Sequence, residues 1–478
     1  GLSGPVFPDA HRVTRAARVS SGHAWRGGIQ GLTIYDEVLA PRAILEGIKG
    51  ADADAAVVVG PDWPLVSVQG DHGVDAVVRR YRDRPELPYV FVQAPPGIGS
   101  ILVTPRILEL FVENPSRRAA FGHLLGYRSE RPESDPVTED CCIIPPAAVR
   151  DAIGRFVPDT PRIRAGLADS LRRDRIASLP TTEAVSSRPA PTAPVDGGVP
   201  ETIRVELGTE RSIPSKRIPI AGSVDRAPMS METFRHLLDG LQGSCDVSMI
   251  FDGVGDPLHH PRFDEFAKAA VEAGIRQVRI RTDLDVGEEA MDRLLAAPVE
   301  VIEIDLDAET AETWQVMHGH DGWARVIRNL ERIVNERNGT GSDGEGDPSV
   351  KPLLPWIVPR IERRIETIDE IPEFFERWRQ RVGSAVIDGP TRWPIHLGIE
   401  PDRLSPTAPP AHQDREVALT RMSVLSDGSV PTLETDLRGL ECIGRLGERP
   451  LRELWSDLIS ARLRFERANG RPPAPWRS

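Results

Sequence analysis

Phe251, Asp252, Gly253, Val254, Gly255, Asp256, Pro257, Leu258, His259, His260 and Pro261 follow one another between two patterned stretches, and their reading decides the fold. Ahead of them, Val247 to Phe251 reads as a strand. Behind them, Phe263, Phe266, Ala267, Ala270 and Val271 recur at helical spacing and stop at Gly274, a C-terminal glycine cap. The stretch is therefore a strand, a turn and a helix. Its two glycines let the backbone fold back tightly and admit a ligand that would otherwise meet a Cβ, while Asp256 offers a carboxylate to an ammonium group. An ordinary strand-to-helix connection also favours glycine and an acid near a helix start, so on spacing alone both readings stand.

The same grammar extends in both directions. Strand-like runs occur at Ile203 to Leu207, Gln277 to Arg281, Val299 to Leu306, Pro355 to Pro359 and Ala385 to Ile387, with helical patterns between them. One helix places Trp323, Val326, Ile327, Leu330 and Val334 on one face and ends near Gly339; another places Ile371, Phe374, Phe375, Trp378 and Val382 and ends at Gly383. A row of alternating strands and helices implies a parallel sheet covered by helices, either open and doubly wound or a full or partial barrel. In both architectures the functional edge is the C-terminal end of the strands.

Composition bounds the alternatives. At 478 residues the chain is long enough for about three domains. Its formal net charge of -13 disfavours bulk affinity for nucleic acid or for anionic lipid. No apolar run approaches bilayer length, and the first thirty residues carry charges and glycines where a signal peptide has an apolar core, so no membrane span is expected. Four cysteines, two of them adjacent at Cys141 and Cys142, fit a reducing compartment, and a cytoplasmic location is expected. The Pro-rich tract Ser186 to Pro200 reads as a spacer between two globular regions, and Asn338 to Pro348 as a surface insertion. The domains expected are 1–185, a linker over 186–200, a barrel over 201–400 and a short extension over 401–478.

GVGDPLHHPRFDEFAKAAVEAGI, residues 253–275, resembles the G-G-E-P-L-L-H-P turn and helix of radical SAM enzymes, where this turn cradles the methionyl amino group of S-adenosylmethionine. The likeness continues through RIRTDLDV (279–286), VIEIDLDAETAETWQVMHG (301–319), GWARVIRNLERIVNERNG (322–339) and PWIVPRIERRIETIDEIPEFFERW (355–378). RMSVLSDGSVPTLETDLRGLECIGRLGERPLRELW (421–455) resembles a SPASM-type extension. The fold implied is α/β, a partial (β/α)6 TIM-like barrel with a SPASM-like tail. The resemblance implies Gly253, Gly255, Asp256 and Asp307 as cofactor-binding residues.

The family's chemistry needs C-x3-C-x2-C in the loop after the first strand, whose three thiolates hold a [4Fe-4S] cluster and leave one iron for S-adenosylmethionine. Here that loop reads GTERSIPSKRIPIAGSVDRAP, Gly208 to Pro228, without Cys or His. Arg211, Lys216 and Arg217 stand in it. Cys245 lies just before the second strand, expected at the opposite end of the barrel, and Cys442 lies far downstream. The tail shows the same pattern: Pro431, Thr432, Leu433 and Glu434 occupy the places where the resemblance implies auxiliary-cluster cysteines, and Cys442 reads as a small semi-buried residue. Fold is thus implied more strongly than activity. The expectation is a pseudoenzyme without cluster chemistry, acting by binding a small zwitterionic or nucleotide ligand or by holding a partner enzyme; the alternatives are a radical SAM enzyme with atypical ligands and a sugar nucleotidyltransferase.

The last alternative rests on the N-terminal region. Ala55 to Val59 followed by Gly60, Pro61, Asp62, Trp63, Pro64, Leu65 and Val66 resembles the G-D-x-P-L-[IV] strand end of cytidylyltransferase-like, nucleotide-diphospho-sugar transferase folds. There Asp62 would meet a divalent metal, Mg²⁺ being the hard-oxygen choice. Gly27, Gly28 and Gly31 do not form the glycine-rich phosphate loop that should precede it, so an α/β nucleotidyltransferase-like domain that is incomplete or non-catalytic is expected. Pro85 to Ser100 reads as a strand and a Pro-Gly loop. His318, His320 and Asp321 form H-x-H-D, a weak metal pattern just ahead of a helix.

Overall fold

In a computed structural model of the chain, the described residues are 41–59, 65–92, 99–113, 140–146, 164–165, 167–168, 198–211, 215–244, 247–340, 355–382, 385–388 and 418–469. The chain divides into two compact units. One comprises Gly1–Pro189, Asn338–Leu353 and Arg379–Gly383; the other comprises Ala190–Arg337, Leu354–Trp378 and Ser384–Ser478.

The first unit contains α1 (Pro41–Gly50), β1 (Ala56–Val58), α2 (Val74–Asp83), β2 (Tyr89–Val92), β3 (Ile101–Val103), α3 (Pro105–Glu113) and β4 (Cys142–Ile143). Its sheet runs β1-β3-β2-β4, with β3 antiparallel to both β1 and β2 and β4 parallel to β2. Alternate strand residues serve two cores. Phe91, Ile101 and Val103 pack with Ile44, Ile48, Ile107 and Leu108, whereas Val90, Val92 and Leu102 pack with Ala76 and Val77. The Gly60 to Pro64 turn, including the Asp62 expected to bind metal, lies outside the described residues, as do Gly27, Gly28, Gly31 and the loop after β2.

The second unit begins with β5 (Thr202–Val205), α4 (Met231–Gly240), β6 (Ser248–Phe251), α5 (Phe263–Glu272), β7 (Gln277–Thr282) and α6 (Glu288–Ala296). It continues with β8 (Val301–Asp305), α7 (Ala311–His318), α8 (Trp323–Thr340), β9 (Trp356–Glu362), α9 (Ile371–Val382) and β10 (Val386–Asp388), the ends of α8 and α9 from Asn338 and from Arg379 onward being counted with the first unit. The tail supplies β11 (Arg421–Val424), a hairpin of β12 (Ser429–Pro431) and β13 (Cys442–Arg445), and α10 (Leu451–Asn469). The six strands expected from the apolar runs form one parallel sheet in the order β10-β9-β8-β7-β6-β5, and β11 adds a seventh, parallel strand beside β5. This strand comes from the 401–478 extension, which is thereby built into the sheet. Arg421, Met422, Ser423 and Val424 are all buried, and pairing with Thr202 to Val205 satisfies backbone groups that would otherwise be stranded away from water.

One face of this sheet is apolar. Phe251 on β6 meets Phe234 of α4 and Phe263 of α5 with ring centroids 6.1 and 5.7 Å apart, and Phe266 meets Phe234 edge-on at 5.0 Å. Helix α4 starts at Ser230, whose hydroxyl accepts from the Thr233 N–H at 3.0 Å. Replacing Ser230 by Ala strands that donor, and a loss of about 1 kcal/mol is expected in a denaturant titration. Helix α5 ends at Gly274, φ +86°, as the glycine cap implies. No helix among the described residues is long and apolar enough to cross a membrane.

Candidate functional site

The opposite face of the sheet is charged. In β7 the sequence Gln277 to Thr282 alternates apolar Val278 and Ile280 with Arg279 and Arg281; β8 alternates Ile302 and Ile304 with Glu303 and Asp305; β9 ends in Arg360, Ile361 and Glu362. The period of two puts every one of these charges on one side. All are buried, so each ion requires a partner. Arg279 pairs with Glu303, Arg281 Nε reaches Asp305 at 2.9 Å, and Arg360 reaches Glu303 at 2.6 Å and also binds Asp388. Opposite signs sit on neighbouring strands.

At the C-terminal edge of the sheet the loop after β5 joins this network. Arg217 folds inward until it is 2% exposed, binds both carboxylate oxygens of Asp307, and donates to Asp388 at 2.7 Å. Asp307 also accepts from the Glu362 N–H at 2.7 Å, and its φ of +52° shows a strand end held in the left-handed region by these contacts. Burial opposes the Arg217 charge, but Asp305, Asp307 and Asp388 hold it firmly protonated. The Asp388 carboxyl is taken to about 2, against burial, by Arg360, Arg281 and Arg217. Lys216 stays on the rim and meets Glu366 at 2.5 Å.

Arg211 fills the next position along the edge. Its Nε donates to the Val254 carbonyl at 3.1 Å and its head group binds Asp283, which follows β7. Asp256 lies beside this pair. Its carboxylate accepts from the Leu258 N–H at 2.9 Å, the Thr282 hydroxyl at 2.6 Å and the Asp283 N–H at 2.9 Å. Burial, followed by the neighbouring Asp283 charge, raises Asp256 to about 8; Asp283, although buried, is drawn to about 2 by Arg211.

The glycine turn itself is packed against the protein. A Cβ on Gly253 would stand 2.5 Å from Glu206 Cγ, and one on Gly255 would stand 2.5 Å from the Gly208 carbonyl oxygen. Glu206 ties three segments together. It accepts from Val254 N–H at 3.1 Å, from Arg226 at 2.7 Å and from Ser426 N–H at 3.2 Å. The close backbone approach that glycine allows is thus made here by the loop after β5. All four residues that the sequence resemblance implies as cofactor ligands, Gly253, Gly255, Asp256 and Asp307, lie at the same sheet edge, each packed against or bonded to the chain's own groups.

His318 and His320 do not converge on a common point. His318 stacks on Trp314 with ring centroids 3.7 Å apart, and burial lowers its pKa; His320 Nε2 lies 2.8 Å from Asp285. Among the described residues no group of three or more His, Cys, Asp or Glu side chains is arranged to hold a metal ion. In the tail, Cys442 is exposed where a semi-buried residue was expected; its thiol donates to the Gly439 carbonyl at 3.4 Å, and partial desolvation together with Asp436 and Asp427 pushes it up to about 11, so it stays protonated at neutral pH. Glu434 accepts from Arg421 and through its carbonyl from Arg204.

The inward arginine ladder was missed by sequence reasoning, although a signal existed. Strands buried on both faces of a parallel sheet ordinarily read as continuous apolar runs, whereas VRIRT, IEID and RIE carry charges at every second position.

No curated protein matches the chain. Among solved structures, the chain is similar to BtrN in complex with AdoMet and 2-DOIA, at 15% identity over 57% of this chain and 88% of that one, with a TM-score of 0.34. It is similar to Streptococcus suis SuiB bound to S-adenosylmethionine, at 11% identity over 62% and 76%, TM-score 0.41. It is also similar to anSMEcpe with bound AdoMet and the Cp18Cys peptide, at 10% identity over 53% and 80%, TM-score 0.39. Residues 215–342 match the family model described as the Radical SAM superfamily, and this part of the chain is a Radical SAM superfamily domain.

Proposed function

We propose that this domain is a non-catalytic radical SAM/SPASM-like module, which folds as a partial barrel and serves by holding a partner enzyme. The observation that carries the reading is the pair Arg211 and Arg217, which turn inward from the loop after β5 and bind Asp283, Asp307 and Asp388. The residues present do not fit a [4Fe-4S] cluster. Three thiolates are required beside the first strand, and the loop there offers guanidinium groups, which are cationic hydrogen-bond donors without a lone pair for iron. Cys442, protonated and far along the chain, is a poor substitute. The space beside the glycine turn that a Cβ would enter is already taken by Glu206 and by the Gly208 to Glu210 backbone. In this reading the outer surface carries the function, and a cytoplasmic setting belongs to it too, supported by the low cysteine content.

Anaerobic incubation of the full chain with iron and sulfide tests this directly. The expected preparation is colourless and iron-free, and S-adenosylmethionine leaves its melting temperature unchanged, since only a ligand bound to the native state raises it. Stoichiometric iron with a brown charge-transfer absorbance, or a melting temperature raised by S-adenosylmethionine, would sink the reading.

A further inference from the structure

Two acids and one base meet where the glycine turn touches the loop after β5. The Asp256 N–H donates to the Glu210 carbonyl at 2.9 Å, while Arg211 from the same loop binds Asp283 and the Val254 carbonyl. Asp256 and Asp283 are both buried and hydrogen-bonded to each other through the Asp283 N–H. A single guanidinium cannot neutralise two adjacent carboxylates, so this corner needs a proton as its second counter-charge. Every packed element contributes to that balance: Asp252 from the turn after β6, Thr282 and Asp283 from the end of β7, Asp305 from β8, His318 from the end of α7, and Arg211 from the loop. His318 supplies no fixed positive charge, because burial favours its neutral form.

We propose that Asp256, Asp283 and Arg211 form a proton-operated clasp, which shuts the Gly208 to Arg211 segment against the glycine turn while the two carboxyls share a proton and loosens when that proton passes to bulk water. The inference rests on the reading that this sheet edge is filled by the chain's own side chains. The direction of its pH response follows from the folded-state shift of Asp256, upward from 3.8 to about 8. A closed form that keeps a proton which the opened form releases is favoured by acid. Closure therefore weakens as pH rises through that interval and changes no further above it. The downward shift of Asp283 acts only below 3.8, outside the working range.

Amide hydrogen exchange on the full chain reads the clasp at Asp256, Leu258 and Asp283, whose N–H groups donate to Glu210 and to the Asp256 carboxylate. After correction for intrinsic exchange, their protection is expected to fall by up to about tenfold per pH unit between about pH 5 and 7.5, with that of Ile280 in β7 unchanged. In Asp256→Asn, where the amide cannot titrate, and in Asp283→Asn, where Arg211 is free to pair with Asp256, the slope is expected to disappear. If one variant fails to fold, the other decides. Protection independent of pH in the native protein, or the native slope persisting in a folded variant, overturns the clasp. Iron loading would instead overturn the non-catalytic reading and leave this slope where it is, so the two failures are distinguishable.

Discussion

Replacing Arg217 by Ala is expected to cost about 3–5 kcal/mol of unfolding free energy, because it removes the guanidinium bound to the buried Asp307 carboxylate. Among the described residues Asp307 loses a bidentate donor and keeps the Glu362 N–H, and Asp388 falls back on Arg281 and Arg360. Lysine is not an adequate replacement, since one ammonium cannot span Asp307 and Asp388 with the planar fork that Arg217 uses. Chemical denaturation of the full chain measures the effect. A change below about 1 kcal/mol would mean that this ion network does not hold the sheet edge together.

The second large effect is expected for Gly255→Ala. The added methyl would stand 2.5 Å from the Gly208 carbonyl oxygen, 2.7 Å from that of Glu210 and 2.7 Å from the Thr209 carbonyl carbon. All three are backbone atoms, which cannot rotate away as a flexible side chain does. The turn and the loop must separate, breaking the Asp256 to Glu210 hydrogen bond and exposing Arg211 and Asp283. A loss of about 3 kcal/mol or more is expected, at the upper end of overpacking costs. Gly208→Ala is the matched control, because a Cβ there meets nothing within 4 Å and should cost under about 1 kcal/mol. Equal melting curves for the two variants would show that the turn does not pack against the loop.

Much of the parallel sheet was legible along the chain. Strands end where the apolar runs end within about three residues, and the helices at Phe263–Glu272, Trp323–Thr340 and Ile371–Val382 stop near Gly274, Gly339 and Gly383. These features depend on neighbours three or four residues away, which a local pattern records. The seventh strand was not legible, since nothing local to Arg421–Val424 says that its partner is Thr202–Val205. The site divided along the same line. Motif order was enough to put Asp256 and Asp307 at the strand ends, but not to name the groups that bind them.

Residue order alone was enough for the succession of strands and helices, for the glycine turn, and for the lack of sulfur donors between Gly208 and Pro228. What faces the strand ends was settled only by folding. Arg211 meets an acid 72 positions away, and Arg217 meets acids 90 and 171 positions away. The physical reason is the price of burying charge: each guanidinium on this apolar-backed sheet must find a carboxylate, and only the assembled strands determine which one lies within reach.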